Sequence, residues 1–388
     1  MQQAIERQAH ALLGLRGKHI VTIGGGAGPF ALLSALKKHD CSITAIVTMA
    51  DSGGSSRRLM DEYGTLPVGD LRQALVALSR KGVLWREVFT YRFKDGREGK
   101  DGQEHGGQEH GGQAHGEQEA PEPPSLGGHS LGNLIITALQ EINHGNLLHA
   151  IEDAQQLLDT AGAVLPVTLQ PATLCAELAD GAVIVSETNI DTRGARTPES
   201  AGPLAPITRI YLEQAPVEAC EDALRAIRRA DVIVIGPGSL YTSILANFVV
   251  EGVAEAVRAS EARKVYVCNL MTNRGETGGY RASDFVREVH RYLGDRVDRV
   301  VAHDGVFPAR LVERYAADGQ HPVAPDLEQL RELTPEVVVD SLLAVYQGAL
   351  LRHDAERLLR AIFTPAEYLH SGELCAERRS TPLSADRQ

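Results

Sequence analysis

The feature that most constrains this chain is a unit of strand, glycine-rich turn and helix that recurs along its length. Residues 19–23 (HIVTI) run straight into Gly24-Gly25-Gly26-Ala27-Gly28-Pro29, and residues 29–38 then carry helical spacing of apolar positions. Residues 42–48 run into Asp51-Ser52-Gly53-Gly54-Ser55-Ser56-Arg57-Arg58, with helical segments predicted over 55–62 and 69–80. Residues 231–235 run into Gly236-Pro237-Gly238-Ser239. Residues 163–168, 264–269 and 299–302 add further buried-strand candidates. Short β-branched runs that alternate with helical stretches form a parallel sheet covered on both faces. The expected fold class is therefore α/β with a mostly parallel sheet. Ala223, Leu224 and Ile227 lie at helical spacing within 217–229 and supply one covering helix. Two runs between residues 173 and 190 flank Ala179-Asp180-Gly181, which predicts a β-hairpin extending the main sheet in antiparallel fashion.

Composition bounds the partners. The chain has 388 residues, of which 43% are apolar and 23% charged, an ordinary globular balance. A formal net charge of −12 repels polyanions, so nucleic acid and anionic membrane are poor partners. The five cysteines (41, 175, 220, 268 and 375) are dispersed with no C-x-x-C pair, which reads as reduced thiols in a cytosol rather than a disulfide frame or zinc site. No apolar run approaches the ~20 residues a bilayer demands. The first 19 residues lack the apolar core of a signal peptide. A cytoplasmic protein is expected, with a homo-oligomer open.

One segment breaks the pattern. Residues 94–128 contain the near-repeat GQEHG-GQEHG-GQAHG, which has almost nothing apolar to bury. It reads as a solvated insertion, although His105, His110 and His115 are of a type that binds stray metal. The expected organisation is an N-terminal extension (1–16), one α/β domain (17–363) carrying that insert, and a C-terminal tail (364–388), frayed over 377–388.

The turns carry the chemistry. Glycines at Gly24, Gly25, Gly26 and Gly28 let backbone approach a ligand closely, and a following helix offers unpaired N–H groups to an anion. Gly26, Gly28 and Ala31 fit G-x-G-x-x-A, while Pro29 interrupts the register that starts at Gly24. The second turn joins Asp51, Gly53, Gly54 and Ser55 to two arginines, a set suited to an anion. Asp51 alternatively takes a ribose hydroxyl or caps the next helix. Asp70 is a helix N-cap or, in a phosphate site, a ligand of Mg²⁺ or a partner for Arg72. His129 and Asn133 stand where they can reach a ligand, with Ser130 capping the helix that follows. Gly236, Gly238 and Ser239 repeat the design of the first two turns. Asn269 ends the next strand. In doubly wound sheets such strand ends line one edge, where ligands bind. The reading is a phosphate-bearing nucleotide ligand.

Several motifs are missing. There is no G-x-x-x-x-G-K-[ST], G-x-S-x-G or H-E-x-x-H, and no kinase set. Aromatic content of 5% offers no stacking platform for single strands.

At these turns the chain resembles the YvcK-type gluconeogenesis factor family, within the wider superfamily of 2-phospho-L-lactate transferases (CofD-like). The stretches that carry the resemblance are IGGGAGPFALLSALKK, TAIVTMADSGGSSRRL, LPVGDLRQALVAL, GHSLGNLIITAL, IGPGSLYTSILANFVVEGVAEAV and VYVCNLMTNRGETGGYRASD, from about residue 18 to residue 284. The His/Gln/Gly insert and Ala27-Gly28-Pro29 depart from the family pattern, in which a Thr-Gly-Leu type sequence is usual at the first turn. The resemblance implies a Rossmann-like three-layer α/β/α fold. It also implies binding of a UDP-sugar such as UDP-N-acetylglucosamine, and a role in cell shape and envelope synthesis during gluconeogenic growth. By the same likeness Arg352 matches the family's C-terminal arginine near the sugar nucleotide, whereas its sequence context alone reads as an exposed helix start.

Three functions follow. The first is a nucleotide-sugar-binding regulator, with the first glycine turn against the nucleotide, residues 53–56 or 238–239 cradling phosphates, and Asn133 and Asn269 reading base or sugar. The second is a phospholactyl-type transferase on a guanosine diphosphate-linked donor, with Mg²⁺ held by Asp51 or Asp70. The third is an NAD-dependent oxidoreductase, which lacks an evident catalytic residue with a partner.

Overall fold

The computed structural model describes residues 13–50, 56, 59–60, 65–94, 126–194 and 204–365. The insert, the tail and the greater part of the N-terminal extension lie outside the described residues, as do Asp51, Gly53, Gly54 and Ser55 of the second glycine turn. Ser56, Leu59 and Met60, just beyond that turn, are helical.

In chain order the first elements are β1 (His19–Gly24), α1 (Phe30–Leu36), β2 (Ser42–Val47), α2 (Gly69–Leu78), α3 (Val83–Thr90), α4 (Leu131–Ile142), α5 (Leu147–Leu158) and β3 (Ala163–Pro166). Next come β4 (Leu174–Leu178), β5 (Val183–Val185), α6 (Glu187–Thr192), β6 (Ile207–Leu212), α7 (Glu221–Arg229) and β7 (Val232–Ile235). A π-helical segment, Leu240–Leu245, leads into α8 (Ala246–Phe248), α9 (Val253–Ala259), β8 (Arg263–Val267), α10 (Ala282–Leu293) and β9 (Arg299–His303). The last elements are α11 (Ala309–Ala317), α12 (Leu327–Leu333), β10 (Glu336–Asp340), β11 (Leu343–Tyr346), β12 (Leu350–His353) and α13 (Ala355–Phe363).

Seven strands pair in the order β10-β9-β8-β7-β1-β2-β3, every pair parallel. Val265, Tyr266 and Val267 of β8 and Ile233, Val234 and Ile235 of β7 are all 0% exposed, as continuous apolar strands must be when both faces are covered. Burial of each such side chain is worth about 1.5–3 kcal/mol. From β1 the chain first winds outward through β2 to β3, then returns to β7 on the other side and winds the opposite way. Right-handed crossovers then send α1 and α2 to one face, and α7, α9, α10 and α12 to the other. Contacts of α13 with α1, and of α1 with α2, close the first layer; α7 with α9, α9 with α10, and α10 with α12 close the second. This is the expected three-layer α/β/α arrangement.

The hairpin expected between residues 173 and 190 is present as β4 and β5, but it does not extend the main sheet. It joins β6 in a separate antiparallel sheet of order β5-β4-β6. Alternation along a hairpin fixes which face is buried, not which strand it pairs with. A second small sheet, β11-β12, brings Arg352 opposite Ala344.

At the strand starts, fully buried Arg299 donates to the carbonyls of Ala361 and Ile362 at 2.8 Å each, satisfying the end of α13, and pairs with Glu336 on the neighbouring strand. Arg263 on β8 meets the same carboxylate.

Candidate functional site

The order of the strands puts the topological switch between β1 and β7, where two loops leave adjacent strand ends in opposite directions, the place at which sheets of this kind bind ligands. The two loops are the first and the last glycine turns. They touch. A Cβ on Gly28 would lie 2.2 Å from the Pro237 carbonyl oxygen and 2.7 Å from Gly238 Cα, and one on Gly238 would lie 3.4 Å from the Gly25 carbonyl oxygen. Only glycine allows backbone to pass backbone at this range. Gly26 and Gly236 also hold φ at +62° and +81°, the left-handed region.

Asparagines pin both loops from below. Asn247, 0% exposed, donates to the carbonyls of Gly24 (3.3 Å) and Ser243 (2.8 Å). Asn269 donates to the Gly238 carbonyl at 2.7 Å, and its own Oδ1 is buried without a partner. Asn269 was read from the sequence as the end of a strand. Asn247 was not, although a lone amide inside SILANFVV has only core groups to bond; its Oδ1, too, is buried without a partner.

Asp70 closes one wall. It lies at the second position of α2, one residue past the first helical residue, and not at the N-cap, which is Val68. Asp70 is 8% exposed, and a Cβ on Gly25 would lie 2.4 Å from its Oδ2 and 2.6 Å from Thr48 Cγ2. Two residues along the same helix, Arg72 Nε donates to Asn133 Oδ1 at 2.8 Å. Gly132 makes room for that contact: a Cβ there would meet the Phe89 carbonyl oxygen at 2.4 Å and Arg72 Cδ at 2.7 Å. His129 and Asn133 are each 3% exposed. Ser130 occupies the N-cap of α4, but its hydroxyl points to the Phe89 carbonyl at 3.3 Å. Arg72 and Asn133 are thus paired, while Asp70 accepts from Gln73 Nε2 at 3.4 Å, and Asp51, Gly53, Gly54 and Ser55 fall outside the described residues.

Helix dipoles contribute less than the sequence suggests. α1 has seven residues and its N-cap is Pro29, with no side-chain cap. At the start of the segment Leu240–Leu245, a carboxylate already sits: Glu276 accepts the Tyr241 N–H and the Thr242 hydroxyl, both at 2.8 Å. Burial pushes the Glu276 carboxyl up to about 7, opposed by those two hydrogen bonds. Glu276 was missed because it lies in a polar string, TNRGET, that marks no strand or helix.

The far wall is made at the ends of β8, β9 and β12. His353 Nε2 lies 3.2 Å from the Cys268 carbonyl oxygen, next to Asn269. His303 ends β9, where its Nδ1 accepts the Leu342 N–H at 2.9 Å, and stacks edge-on with Phe307. Burial lowers both histidines, His353 to about 4 with further lowering by His303 and Arg352, so both are neutral at pH 7. Arg352, exposed, precedes His353 and donates to the neighbouring Leu351 carbonyl at 3.1 Å. It lies on a strand, not at a helix start.

Among the described residues no group of three or more His, Cys, Asp or Glu side chains could hold a metal ion. A magnesium ion here would need ligand phosphates and water beside Asp70, the usual way proteins bind it. No helix of the described residues is long and apolar enough to cross a membrane. A cavity of about 250 Å³ at the opposite edge is lined by His19, Ser42 and Thr44 at the strand starts and by Asp222, Arg225 and Arg229 of α7. It lies at the other end of β1 from the crevice and takes no part in it.

The fold and the meeting of these loops define a doubly wound α/β protein whose first and last glycine turns join at its switch point. Residues 20–343 match the family described as 2-phospho-L-lactate transferase CofD. The gluconeogenesis factor of Halalkalibacterium halodurans is 36% identical over 90% of this chain and 96% of its own. That of Bacillus subtilis is 35% identical over 87% and 95%. A crystal structure of a Bacillus halodurans protein, 36% identical, superposes with a TM-score of 0.77 over 89% of this chain and 99% of that one. The chain belongs to the CofD family, in its gluconeogenesis-factor (YvcK-type) branch, as its motifs indicated.

Proposed function

We propose that this protein is a nucleotide-sugar-binding regulator, with UDP-N-acetylglucosamine or a close relative in the crevice, acting on cell shape and envelope synthesis during gluconeogenic growth. The observation that carries this reading is the backbone contact between the loops at Gly28 and Pro237. It brings the two glycine turns together at the switch point of a parallel sheet, where a diphosphate would approach backbone amides. Asn269 adds a buried oxygen in need of a donor, which an N–H or hydroxyl of base or sugar supplies. Arg352 supplies an exposed cation one residue before His353, which bonds the Cys268 carbonyl beside Asn269. The relatives' name, gluconeogenesis factor, supports the metabolic setting.

A second reading is favoured by one observation. Asp70 places a carboxylate against Gly25, where a magnesium-bound diphosphate would lie, as a transferase on a guanosine diphosphate-linked donor requires. Calorimetry with UDP-N-acetylglucosamine, with GDP plus Mg²⁺, and with NAD separates them. Selective binding of the uridine sugar without magnesium and without turnover is expected. Magnesium-dependent GDP binding with no uridine-sugar binding would move the assignment to the transferase, and NAD binding alone would discard both.

A further inference from the structure

The loop after β8 braces the loop after β7 at two points, one on each side of Ser239. Asn269 takes the Gly238 carbonyl at 2.7 Å, and Glu276 takes the Tyr241 N–H and the Thr242 hydroxyl at 2.8 Å each. Glu276 is 3% exposed. Its mounting is fixed. The Gly275 N–H bonds Asn273 Oδ1 at 2.8 Å, Asn273 Nδ2 bonds Asp191 Oδ1 at 2.9 Å, and Arg274 bonds the Gly194 carbonyl at 2.9 Å. Gly194 packs so closely that a Cβ there would lie 2.5 Å from the Gly275 nitrogen. The carboxylate therefore cannot swing out to water, and the groups that accept its charge are an amide and a hydroxyl.

We propose that Glu276 is the positioning residue of the loop Gly236-Pro237-Gly238-Ser239, and that its charge sets how well that loop accepts an anionic ligand. The inference rests on reading the crevice as a diphosphate site. Protonated or ionised, the group holds the turn that follows Ser239. Ionised, it also places a full negative charge at the start of the segment behind the cradle, where an unoccupied helix end would attract phosphate. The charged groups that face it are Asp191 from α6, which opposes ionisation, and Arg193, which is committed to the carbonyls of Gly275 and Ala205. Tyr241 faces it through its backbone, its own hydroxyl being bonded to Tyr280 and Glu288. Because burial raises the carboxyl to about 7, the switch falls at neutral pH. A bound diphosphate raises it further, so binding takes up a proton.

The test is calorimetry with UDP-N-acetylglucosamine at pH 6 and pH 8, in two buffers of different ionisation enthalpy, on the full chain, Glu276→Gln and Glu276→Ala. This diphosphate does not itself titrate near neutrality. The natural protein should bind about fivefold more tightly at pH 6 than at pH 8, a normal size for coupling between two sites, and take up protons on binding. In Glu276→Gln the amide oxygen still accepts from Tyr241 and the amide nitrogen donates to Thr242, so binding should be tight at both pH values with no proton uptake. Glu276→Ala, without the clasp, should bind more weakly at both. A Glu276→Gln protein that keeps the natural pH dependence and proton uptake overturns the proposal; should Glu276→Ala fail to fold, Glu276→Gln alone decides. If the natural protein binds no uridine sugar, the diphosphate reading falls separately and stability tests the clasp. A carboxyl raised in the fold contributes stability that is full below its unfolded value of 4.5 and is lost as pH rises through about 7. Glu276→Gln should then gain in melting temperature over the natural protein as pH climbs through that window, and a gap that does not change with pH overturns the clasp as a titrating group.

Discussion

Gly28 and Pro237 meet main chain to main chain, with room between them for a hydrogen and not for a methyl group: a Cβ at position 28 would sit 2.2 Å from the Pro237 carbonyl oxygen. The neighbour is backbone at a strand end, held by the Gly236 N–H to Ile23 carbonyl bond at 2.9 Å, so it has little room to yield. Gly28→Ala should therefore force the loops apart. Overpacking of this kind costs about 1–3 kcal/mol. Urea denaturation should show that loss together with a larger loss of ligand affinity. Affinity preserved alongside lowered stability would mean that the crevice does not depend on this contact.

Asp70 places a carboxylate beside the backbone of Gly25, and its charge works against a diphosphate when no metal intervenes. Asp70→Asn keeps the shape and removes the charge. In magnesium-free buffer it should tighten UDP-N-acetylglucosamine binding by about 1 kcal/mol, or about fivefold, the scale of one charge–charge interaction in a wet site. Titration calorimetry on the variant checks it. Loss of binding that magnesium restores only in the unsubstituted protein would instead make Asp70 a metal ligand and favour the transferase reading.

These two residues also show what the sequence made legible. The Gly24 and Gly236 turns were readable because each follows an unbroken aliphatic strand, and parallel strands deliver their ends to a common edge. Their direct contact follows from β1 and β7 being neighbours, an order that no local pattern encodes. Asp70 was readable as a helix-start acid, but its place against Gly25 depends on how α2 packs beside β2. Glu276 left no local trace, because its partners, Tyr241 and Thr242, are distant in sequence and are met only through the neighbouring strand's loop. The β4-β5 hairpin was legible as a hairpin and not as part of a separate sheet, since β6, its third strand, lies beyond residues 195–203. The β11-β12 hairpin had a usable signal: in its three-residue connection Gln347 and Gly348 both take positive φ (51° and 66°), and a glycine between short apolar runs is the cue for such a turn.

Glu336 offers a test of the sheet's lower edge. Burial would raise its carboxyl, but Arg299 and Arg263 outweigh that and hold it below its ordinary value. A lowered carboxyl contributes stability that is present above its unfolded value and is lost as pH falls through its folded one. Glu336→Gln leaves the 0%-exposed Arg299 charge uncompensated, and breaking a buried pair on one side typically costs 3–5 kcal/mol. Glu336 keeps some contact with water, so the expected loss at pH 7 is on the order of 2 kcal/mol, shrinking toward acid pH. Thermal melts of both proteins from pH 3 to 7 check it; a gap that widens on acidification would contradict the pairing.

His353 makes the opposite edge acid-sensitive. Burial, with repulsion from His303 and Arg352, lowers it from 6.5 to about 4. The unfolded chain then binds a proton that the fold refuses, so stability is full above pH 6.5 and falls as pH drops toward 4. The size is on the order of 2–3 kcal/mol at the acid end. His353→Gln, which retains an N–H for the Cys268 carbonyl and does not titrate, should flatten this limb while losing little at pH 7. An unchanged acid limb in that variant would place the sensitivity elsewhere.

Arg352 provides the sharpest separation of site from scaffold. Its guanidinium is exposed, and its bond is to the carbonyl of the adjacent Leu351, so the fold gains little from it. Yet the strand that bears it is tied, one residue on, to the Cys268 carbonyl beside Asn269. Position and freedom together suit a cation that folds over a bound phosphate. A charge-assisted contact of this kind is worth about 1.5–3 kcal/mol. Arg352→Ala should therefore weaken UDP-N-acetylglucosamine binding by about tenfold or more while leaving the melting temperature of the ligand-free protein unchanged. Arg352→Lys should recover only part of the loss, because a point charge cannot reproduce the bidentate fork. Equal affinity in all three proteins would take Arg352 out of the site and leave the crevice to its backbone amides.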